Sequence, residues 1–231
     1  MHGSTSFATF LSVALVLALA GMFSYGPSPA VAGESVGLPE IEAGDAGSLS
    51  DLLYKRRSVR RFGEGELSLK EVARLLFAAQ GVTRRGGFRT VPSAGALYPL
   101  EIYLASGEVE DLEAGVYHYR PEKHELELVQ NGDRRKEIAQ AAVGQMWINK
   151  AQAVLVVCAV LERTTSKYGK RGRRYVHVEA GCAAQSVSLQ AADLGLGTTV
   201  VGAFRDSRLA NILGIQDKVT PLLLLPVGRL P

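Results

Sequence analysis

Four arginines and a serine crowd into residues 56–62, which read RRSVRRF. Each guanidinium presents a planar fork of N–H donors that matches phosphate oxygens bidentately, and the serine hydroxyl can add a neutral hydrogen bond. The segment can therefore hold a phosphorylated ligand without a glycine-rich loop. A basic cluster of this size is also typical of a solvated surface, so on its own it leaves both interpretations open.

Two further segments allow the main chain to approach a flat or anionic ligand closely. Residues 92–99 read PSAGALYP, and their small side chains can leave successive backbone N–H groups accessible. Residues 195–204 read GLGTTVVGAF, where three glycines remove side-chain obstruction in the same way. Each segment alone is equally typical of a plain turn. Together with the arginine cluster they indicate a ligand site.

Several common kinds of site have no motif in this chain. It contains no histidine pair at ligand spacing and no Cys-x-x-Cys, so no metal site is predicted. The G-x-S-x-G elbow, the Walker A loop and the G-x-G-x-x-G fingerprint are also missing, which argues against a hydrolase, a P-loop protein or a Rossmann dehydrogenase. A formal net charge of +3 is too small to indicate nucleic-acid binding.

Residues 1–32 are typical of a signal peptide or an N-terminal anchor. An apolar run over residues 7–23 precedes two prolines and the small-x-small triplet at residues 30–32. No Lys or Arg precedes the run, so three outcomes stay open: export with cleavage, an uncleaved membrane anchor, or a misassigned start that leaves the protein in the cytoplasm. Residues 33–50 predict a flexible linker, and residues 51–231 the folded domain.

The two cysteines, Cys158 and Cys182, lie within apolar patterns and are predicted to be free, buried thiols. If the protein is exported, a disulfide between them is chemically possible.

Hydrophobic periodicity predicts the elements that position these segments. Ser68 and Glu71 form a capping box before a helix that Gly81 ends. The other predicted helices cover residues 52–57, 134–143, 179–194 and 209–213. The predicted strands cover residues 101–105, 116–119, 125–129, 151–161, 198–201 and 222–227, and residues 81–91 are predicted to be a loop. Because helices and strands mix without regular βαβ spacing, the α+β class is predicted, with a sheet layered by helices.

The predicted helix over residues 179–194 carries a stripe of small residues, Ala180, Ala183, Ala184, Val187 and Ala191. Small residues permit close packing against another helix, which a second subunit can supply.

In order, the segments RRSVRRF, PSAGALYPLEIY, KYGKRGRRYVHVEAGCAAQ, LGLGTTVVGAF and PVGR resemble the flavin-dependent nitroreductase family. Within that family they resemble the SagB-type, azoline-dehydrogenase-like branch, and the resemblance spans residues 53–228. It implies a nitroreductase-like fold with a central mixed, mainly antiparallel sheet flanked by helices. It also implies FMN bound at a homodimer interface.

The resemblance assigns FMN-binding residues in groups. The phosphate, ribityl chain and pyrimidine edge fall to Arg56, Arg57, Ser58 and Arg60. The isoalloxazine is approached from the partner chain by Pro92, Ser93, Ala94 and Ala96. It is lined by Val200, Val201, Gly202 and Ala203, with a backbone N–H near the flavin N5. Asn149 is a further implied contact. Relatives carry a phosphate-binding Lys or Arg beyond the PVG turn; here either Arg229 serves or the cluster around Arg56 does the whole task.

Lys167 and Tyr168 match the pair implicated, in azoline dehydrogenases, in removing a substrate proton while hydride goes to the flavin. Burial or neighbouring positive charge must favour the neutral amine of such a lysine. Four basic neighbours can supply that charge, Lys170, Arg171, Arg173 and Arg174. The other interpretation is a solvated basic loop that steers an acidic substrate or a nicotinamide phosphate.

The leading functional hypothesis is therefore an FMN-dependent oxidoreductase that transfers hydride through flavin N5 and acts on a small molecule or a modified peptide. The alternative within the class is an NAD(P)H-dependent reductase of nitro or quinone compounds. A hypothesis of another class is a non-catalytic flavin- or peptide-binding module. Export fits neither redox hypothesis comfortably, because NAD(P)H and the cyclodehydratase partner of azoline oxidation are cytosolic.

Overall fold

A six-stranded antiparallel sheet organises this computed structural model, which describes residues 48–215 and 218–231. The predicted signal segment and most of the predicted linker lie outside the described residues. The strands are β1 (Val82–Arg84), β2 (Phe88–Arg89), β3 (Leu100–Ser106), β4 (Gly115–Arg120), β5 (Glu125–Asn131), β6 (Ala153–Ala159), β7 (Leu196–Thr198) and β8 (Thr220–Arg229). The six run in the order β5-β4-β3-β6-β8-β7, and β1 pairs with β2 as a separate hairpin.

Every pairing between these strands is antiparallel. Parallel geometry occurs only as isolated bridges among the described residues, Ser58 with Thr198 and Leu67 with Val109. The sheet is thus more uniformly antiparallel than the mixed sheet that was expected.

Helices cover both faces of the sheet. They are α1 (Ser48–Lys55), α2 (Leu69–Gln80), α3 (Arg135–Ala141), α4 (Glu162–Tyr168), α5 (Arg171–Asp193) and α6 (Asp206–Leu213). Short 3-10 turns occupy Ala94–Ala96 and Met146–Lys150. This arrangement confirms the predicted α+β class.

Strand β6 shows how the sequence builds the two layers. It lies between β3 and β8, and all seven of its residues are buried. Successive side chains of a strand point to opposite faces. Leu155 and Val157 therefore join the core beneath α2 and α5, whereas Val154 and Val156 join the core beneath α3 and α6. This confirms the prediction of a central strand covered on both faces.

The capping box of α2 forms as predicted. The Ser68 N–H donates to the Glu71 carboxylate at 2.8 Å, and the Glu71 N–H donates to the Ser68 hydroxyl at 3.3 Å. Four apolar residues of the helix then face the core, Val72, Leu75, Leu76 and Ala79. Glu71 also receives Arg229 from the end of β8, which becomes important for the site.

The largest departure from the predicted elements is at α5, which begins at Arg171 and not near residue 179. Its first core-facing positions are Gly172, Val176 and Glu179, all buried. A glycine and a carboxylate on the buried face hide the apolar stripe from a search for hydrophobic periodicity. Gly172 is required there, because a Cβ would lie 2.8 Å from the Thr165 Cα of α4.

Other elements differ less from the predicted ones. Helix α1 begins at Ser48, within the predicted linker. The predicted loop over residues 81–91 contains the β1–β2 hairpin. Helix α4 was not predicted, and Lys167 and Tyr168 form its last turn. The remaining predicted strands and helices are present with ends shifted by a few residues, except that the strand predicted over 198–201 runs from Leu196 to Thr198.

Both cysteines are free thiols, as predicted; Cys158 is buried and Cys182 is half-buried. None of the helices formed by residues 48–215 and 218–231 combines the length and apolarity needed to span a membrane.

Candidate functional site

The arginine-rich segment leaves α1 and runs along the outer strand of the sheet. Ser58 forms a parallel bridge with Thr198, and the Val59 N–H donates to the Thr198 carbonyl at 2.9 Å. The approach is close, since a Cβ on Gly197 would lie 2.6 Å from the Val59 side chain. This places the arginines beside the end of β7, directly before the predicted ring-lining segment.

Arg60 and Asn149, which lie far apart in the sequence, line one cleft of about 700 Å³. Trp147 lies between them in the chain and in space, and the Arg60 guanidinium carbon is 6.0 Å from the centre of its ring. A cation over an aromatic face is attracted by the ring quadrupole. The exposed Arg60 is thus oriented by an aromatic ring while its N–H donors stay accessible.

Arg57 behaves differently from Arg60. Its guanidinium folds back on the end of α1 and donates to the carbonyls of Tyr54, at 2.7 Å, and Arg56, at 2.9 Å. Part of its donor capacity is therefore used within the segment itself.

The segment 200–203 is anchored at one residue and open at the others. Val201 is buried, its N–H donates to the Leu224 carbonyl at 2.8 Å, and its own carbonyl accepts from the Leu224 N–H at 2.9 Å. Val200, Gly202 and Ala203 are exposed. Among the hydrogen bonds of the described residues, none uses the N–H of Gly202 or Ala203. A backbone donor for a flat ligand is therefore available at these two residues and not at Val201.

At the other end of the sheet, the residues 92–98 form a strained turn before β3. Gly95, Ala96 and Tyr98 all have positive φ, at 63°, 52° and 44°. Such values are uncommon for residues with a side chain and persist where the surroundings hold them. The Ser93 hydroxyl contributes by accepting from the Tyr98 N–H at 2.9 Å.

Lys167 and Tyr168 end α4 directly against this turn. A Cβ on Gly95 would lie 2.7 Å from the Tyr168 hydroxyl oxygen and 3.1 Å from the Lys167 Nζ. Glycine is favoured at position 95 by its positive φ, and a side chain there would push aside the ends of these two side chains. The structure therefore brings together two motifs that lie about 70 residues apart in the sequence. The Lys167 amine and the Tyr168 hydroxyl both lie next to Gly95.

An ionic network of one exposed arginine and two largely buried side chains braces the same turn. The Arg163 guanidinium donates to the Tyr98 carbonyl at 3.0 Å and pairs with Glu101 at 2.5 Å. His118 contacts the other oxygen of Glu101 at 2.6 Å. Burial of Glu101 opposes its ionisation, but hydrogen bonds and charges from His118 and Arg163 outweigh it, so the pKa of Glu101 is lowered.

The site residues thus fall into two groups. The arginine group contains Arg56, Arg57, Ser58, Arg60, Asn149 and the segment 200–203. The turn group contains Pro92, Ser93, Ala94, Ala96, Lys167 and Tyr168.

The arginines and the turn lie near opposite ends of the central strands. Leu100 pairs with Ala159 at the end next to the turn, whereas Ala153 pairs with Val227 at the end next to the arginines. Six residue steps along β6 amount to about 20 Å of strand. The segment 200–203 lies beside the middle of the strands, because Val201 bridges Leu224 and Leu224 pairs with Val156. One chain therefore presents the arginines and the turn as separate surfaces.

Arg229 is already bound within the chain. Its guanidinium forks onto the Glu71 carboxylate, at 2.7 and 2.9 Å, and also donates to the Glu66 carbonyl, at 2.7 and 3.1 Å. Burial raises the pKa of Glu71, but the hydrogen bonds from Arg229 and Ser68 lower it by more, so the net shift of the pKa is downward. Arg229 ties the end of β8 to the start of α2, and a phosphate would have to compete with Glu71 for it.

The sequence interpretation missed supporting residues whose signal was a polar residue in an apolar setting. Gln152 is buried at the start of β6, donates to the Gly63 carbonyl at 2.9 Å and accepts from the Arg229 N–H at 3.0 Å. It fixes the arginine segment to β8. Glu101 and Glu179 also lie within predicted strand or helix patterns, and both serve the turn group.

Comparison with known proteins adds a family match and several relatives. Residues 53–229 match the Nitroreductase family. A protein of Methanocaldococcus jannaschii described as a nitroreductase, MJ1384, is 51% identical over 192 residues, which are 83% of this chain and 94% of the relative. The microcin B17-processing protein McbC of Escherichia coli is 32% identical over 167 residues, 69% of this chain and 61% of McbC.

The solved structures agree. A protein of Ralstonia eutropha described as a nitroreductase superposes with a TM-score of 0.71 at 32% identity, covering 84% of this chain and 88% of its own. A chain of the E. coli microcin synthetase McbBCD complex, solved with truncated pro-MccB17 bound, superposes with a TM-score of 0.69 at 28% identity, covering 96% and 85%.

Proposed function

Since the chain belongs to the nitroreductase family and is an oxidoreductase of its SagB-type branch, we propose that it uses FMN in a site shared by two copies of the chain. The observation that carries this proposal is the separation of the arginine group from the turn group. A phosphate held at Arg60 and a reacting atom beside Lys167 belong to one site only if each group comes from a different protomer. A two-fold homodimer supplies that arrangement twice.

The donor set of the arginine group suits FMN. A phosphate dianion partly removed from water needs several charge-assisted hydrogen bonds, which Arg60 and its neighbours in the segment can donate. The free N–H groups of Gly202 and Ala203 suit acceptor atoms on a flavin ring. The turn of the partner, with a glycine and two alanines at its tip, lets a flat ring lie against the main chain.

When bound, FMN supplies the capacity to take up or release a hydride at N5. The chain supplies the proton chemistry and the orientation. The Lys167 amine and the Tyr168 hydroxyl converge at Gly95, so a substrate seated against the turn meets both. In a dehydrogenation, one C–H bond loses its electron pair and hydrogen as hydride, the neighbouring C–H or N–H proton goes to this pair, and a double bond forms between the two atoms.

For the substrate, we propose an azoline-type ring in a modified peptide, oxidised with oxygen as the final acceptor. Support comes from the similarity to McbC, a microcin B17-processing protein, and to the complex that holds truncated pro-MccB17. Because the chain spans 61% of McbC, the activity of that whole protein is not transferred with the similarity.

The second candidate is reduction of nitro or quinone compounds by NAD(P)H. The exposed cations Lys170, Arg171, Arg173 and Arg174 lie beside the catalytic pair and would attract the phosphates of a nicotinamide cofactor. A relative named FMN reductase [NAD(P)H], from Bacillus subtilis, is 32% identical over 115 residues, 44% of this chain and 46% of its own. Parallel assays with NADPH plus a nitroaromatic and with an azoline peptide separate the two candidates.

We propose that residues 1–32 direct export or anchor the chain, with residues 33–47 as linker. Mass spectrometry of the native protein tests this. A chain that begins at Gly33 supports cleavage, and an intact Met1 supports an anchor or a cytoplasmic protein.

Subunit complementation tests the shared site. We would combine R60A with a K167A/Y168F double variant at an FMN concentration that leaves R60A largely without flavin, and measure flavin-dependent turnover of the mixture. In a shared site, a mixed dimer contains one site with both changes and one with none, so random pairing restores about a quarter of the wild-type sites. No recovery, despite mixed dimers by native mass spectrometry, would place both groups in one protomer's site. Purified protein without flavin absorbance and without FMN binding by titration would remove the redox function itself.

A further inference from the structure

A buried polar cluster lies beneath the 92–98 turn and takes no part in the chemistry described above. It consists of Gln80 from α2, Arg89 from β2, Ser93 from the turn and Glu179 from α5. Gln80 has no exposed surface and Glu179 is 3% exposed. A glutamate is rarely buried to this extent unless it is paired, so its position calls for a physical reason.

The cluster contains several buried polar atoms that lack a hydrogen-bond partner. Five buried side-chain polar atoms of the described residues have no hydrogen-bond partner, and three of them are Gln80 Nε2, Arg89 Nε and Glu179 Oε1. Native structures leave few buried polar atoms unpaired. An apolar residue at position 179 would extend the small-residue stripe of α5 and avoid the loss, so stability does not account for this carboxylate.

Ser93 connects the cluster to the site. Its hydroxyl oxygen accepts from the Tyr98 N–H at 2.9 Å, which leaves its own proton to be donated elsewhere. Glu179 is the polar neighbour of Ser93 on the buried side, where α5 packs against the turn. Arg89 acts on the far end of the turn, with its guanidinium carbon 5.0 Å from the centre of the Tyr98 ring. The turn is therefore held from its buried side at Ser93 and at Tyr98.

We propose that Glu179 is a positioning residue: through Ser93 it fixes the turn so that Gly95 stays against Lys167 and Tyr168. This inference rests on the proposed function of the turn group. Glu179 itself does not touch the reacting atoms, and its effect reaches them through the main chain of residues 93–95.

The ionisation state of Glu179 matters to this role. The carboxylate accepts the Ser93 proton, whereas the protonated acid brings a second donor to the same contact. Burial raises the pKa of Glu179 to about 7, although the nearby polar side chains of Ser93 and Gln80 and the charge of Arg89 oppose this rise. The facing groups are thus Arg89, which is cationic, from β2, and Gln80 and Ser93, which are neutral, from α2 and the turn. The turn is held by a carboxylate above neutral pH and by a neutral acid below it.

The test uses the full chain loaded with FMN and follows flavin reduction by NADPH, together with turnover of the azoline peptide, from about pH 6 to about pH 8, one unit on either side of the pKa. The variants are E179Q, S93A and S93A/E179Q, and the control is E137Q, which removes a half-buried glutamate, paired with Arg134, from α3 on the other side of the sheet. We expect the wild type to accelerate as the pH rises, and E179Q and S93A to lack this step. At pH 8 their maximal rates should fall about 10- to 100-fold, as misplacement of catalytic groups does, and the FMN affinity of E179Q should stay unchanged.

The double variant separates positioning from mere destabilisation. If Glu179 acts through Ser93, S93A/E179Q should be no slower than either single variant, because the second change removes a contact that is already lost. Additive losses, or a wild-type pH step in E179Q, would overturn the proposal. If E179Q folds poorly, S93A alone decides, since it leaves Glu179 in place and should still abolish the step.

A measurement without turnover keeps this proposal distinct from the proposed function. A carboxyl whose pKa is about 7 in the folded protein and 4.5 in the unfolded chain contributes stability at low pH that is lost as the pH rises between those values. The difference in urea midpoint between wild type and E179Q should therefore change over this window and level off above it. A difference independent of pH would contradict a buried, titrating Glu179. Loss of all flavin binding with the pH-dependent difference retained would refute the proposed function alone.

Discussion

The arginine group and the turn group are built on different physical principles. Arg60, Gly202 and Ala203 present donors that nothing in the described part of the chain satisfies, and their surroundings are open. The turn at residues 92–98 is held by side chains from several elements, among them Arg163 and Glu101. The arginine group leaves its hydrogen-bond donors free for a ligand, whereas the turn group is already held in place by contacts within the chain.

This difference matches two distinct tasks. Binding an anionic cofactor needs many accessible donors, and small errors in their positions are tolerated because the ligand itself orders them. Proton removal needs its groups placed before the substrate arrives, since misplacement by about 1 Å costs about 100-fold in rate. Changes at the arginine group should therefore alter affinity, and changes at the turn group should alter rate.

The largest effect is expected from K167A and Y168F. Loss of a general base lowers the rate by about 100- to 10,000-fold, while FMN affinity should stay the same because neither residue belongs to the arginine group. Stopped-flow measurement of flavin reduction by the azoline substrate tests this, with K170A as the control for loss of positive charge alone. Unchanged rates in both variants would show that this pair does not remove the substrate proton, and no flavin reduction in the wild type would favour the non-catalytic binding module.

The next effect is expected from R60A. Loss of charge-assisted hydrogen bonds costs about 1.5–3 kcal/mol, so the FMN dissociation constant should rise about 10- to 100-fold without loss of stability. Fluorescence titration with FMN and urea unfolding measure the two quantities. R84A, which removes an exposed arginine from the β1–β2 hairpin, serves as the matched control. Equal affinity in R60A and wild type would return residues 56–62 to the role of a solvated surface.

A smaller effect with a pH signature is expected from E101Q. Removing the carboxylate leaves Arg163 and His118 without their common partner, at a cost of about 1–3 kcal/mol in the free energy of unfolding. Because the pKa of Glu101 is lowered in the folded protein, this stabilisation is present above its unfolded value of 4.5 and is lost as the pH falls through the folded pKa. Urea unfolding of both proteins should show a difference that shrinks in acid.

The exposed pair of Arg120 and Glu127 provides the control for E101Q. E127Q removes a carboxylate from the same sheet face but from a solvated ion pair, which contributes only about 0.2–1 kcal/mol. A constant difference between E101Q and wild type at all pH values would show that packing, and not ionisation, accounts for the loss.

The arginine group was easier to predict from sequence than the support of the turn group, for a physical reason. Its residues are consecutive in RRSVRRF and in TTVVGAF, so the motif is visible as a string. The support of the turn comes from Glu101, His118, Arg163 and Glu179, each single and each from a different element. Only the fold brings them together, and in the sequence each is a single polar residue that no motif marks.

The same contrast applies to the secondary structure. The α2 helix and strand β6 have uninterrupted patterns and were predicted correctly. The first turns of α5, residues 171–178, were missed because their buried positions are only Gly172 and Val176, which form no visible apolar stripe. A core-facing position that carries Glu179 contradicts the pattern that hydrophobic periodicity relies on. The departure from the pattern was itself the signal of a functional position.

The smallest effect concerns Arg229, which was predicted to bind phosphate but forks onto Glu71. If its role is to tie β8 to α2, R229A should lower the free energy of unfolding by about 1 kcal/mol and leave FMN affinity unchanged, because the lost contact is a partly exposed ion pair. E71Q should cause a similar loss, and the R229A/E71Q double variant should show that the two losses are coupled. Weaker FMN binding in R229A with normal binding in E71Q would instead show that Arg229 leaves Glu71 for the phosphate. The arginine group would then extend across the end of β8, and its openness would depend on an exchange of partners.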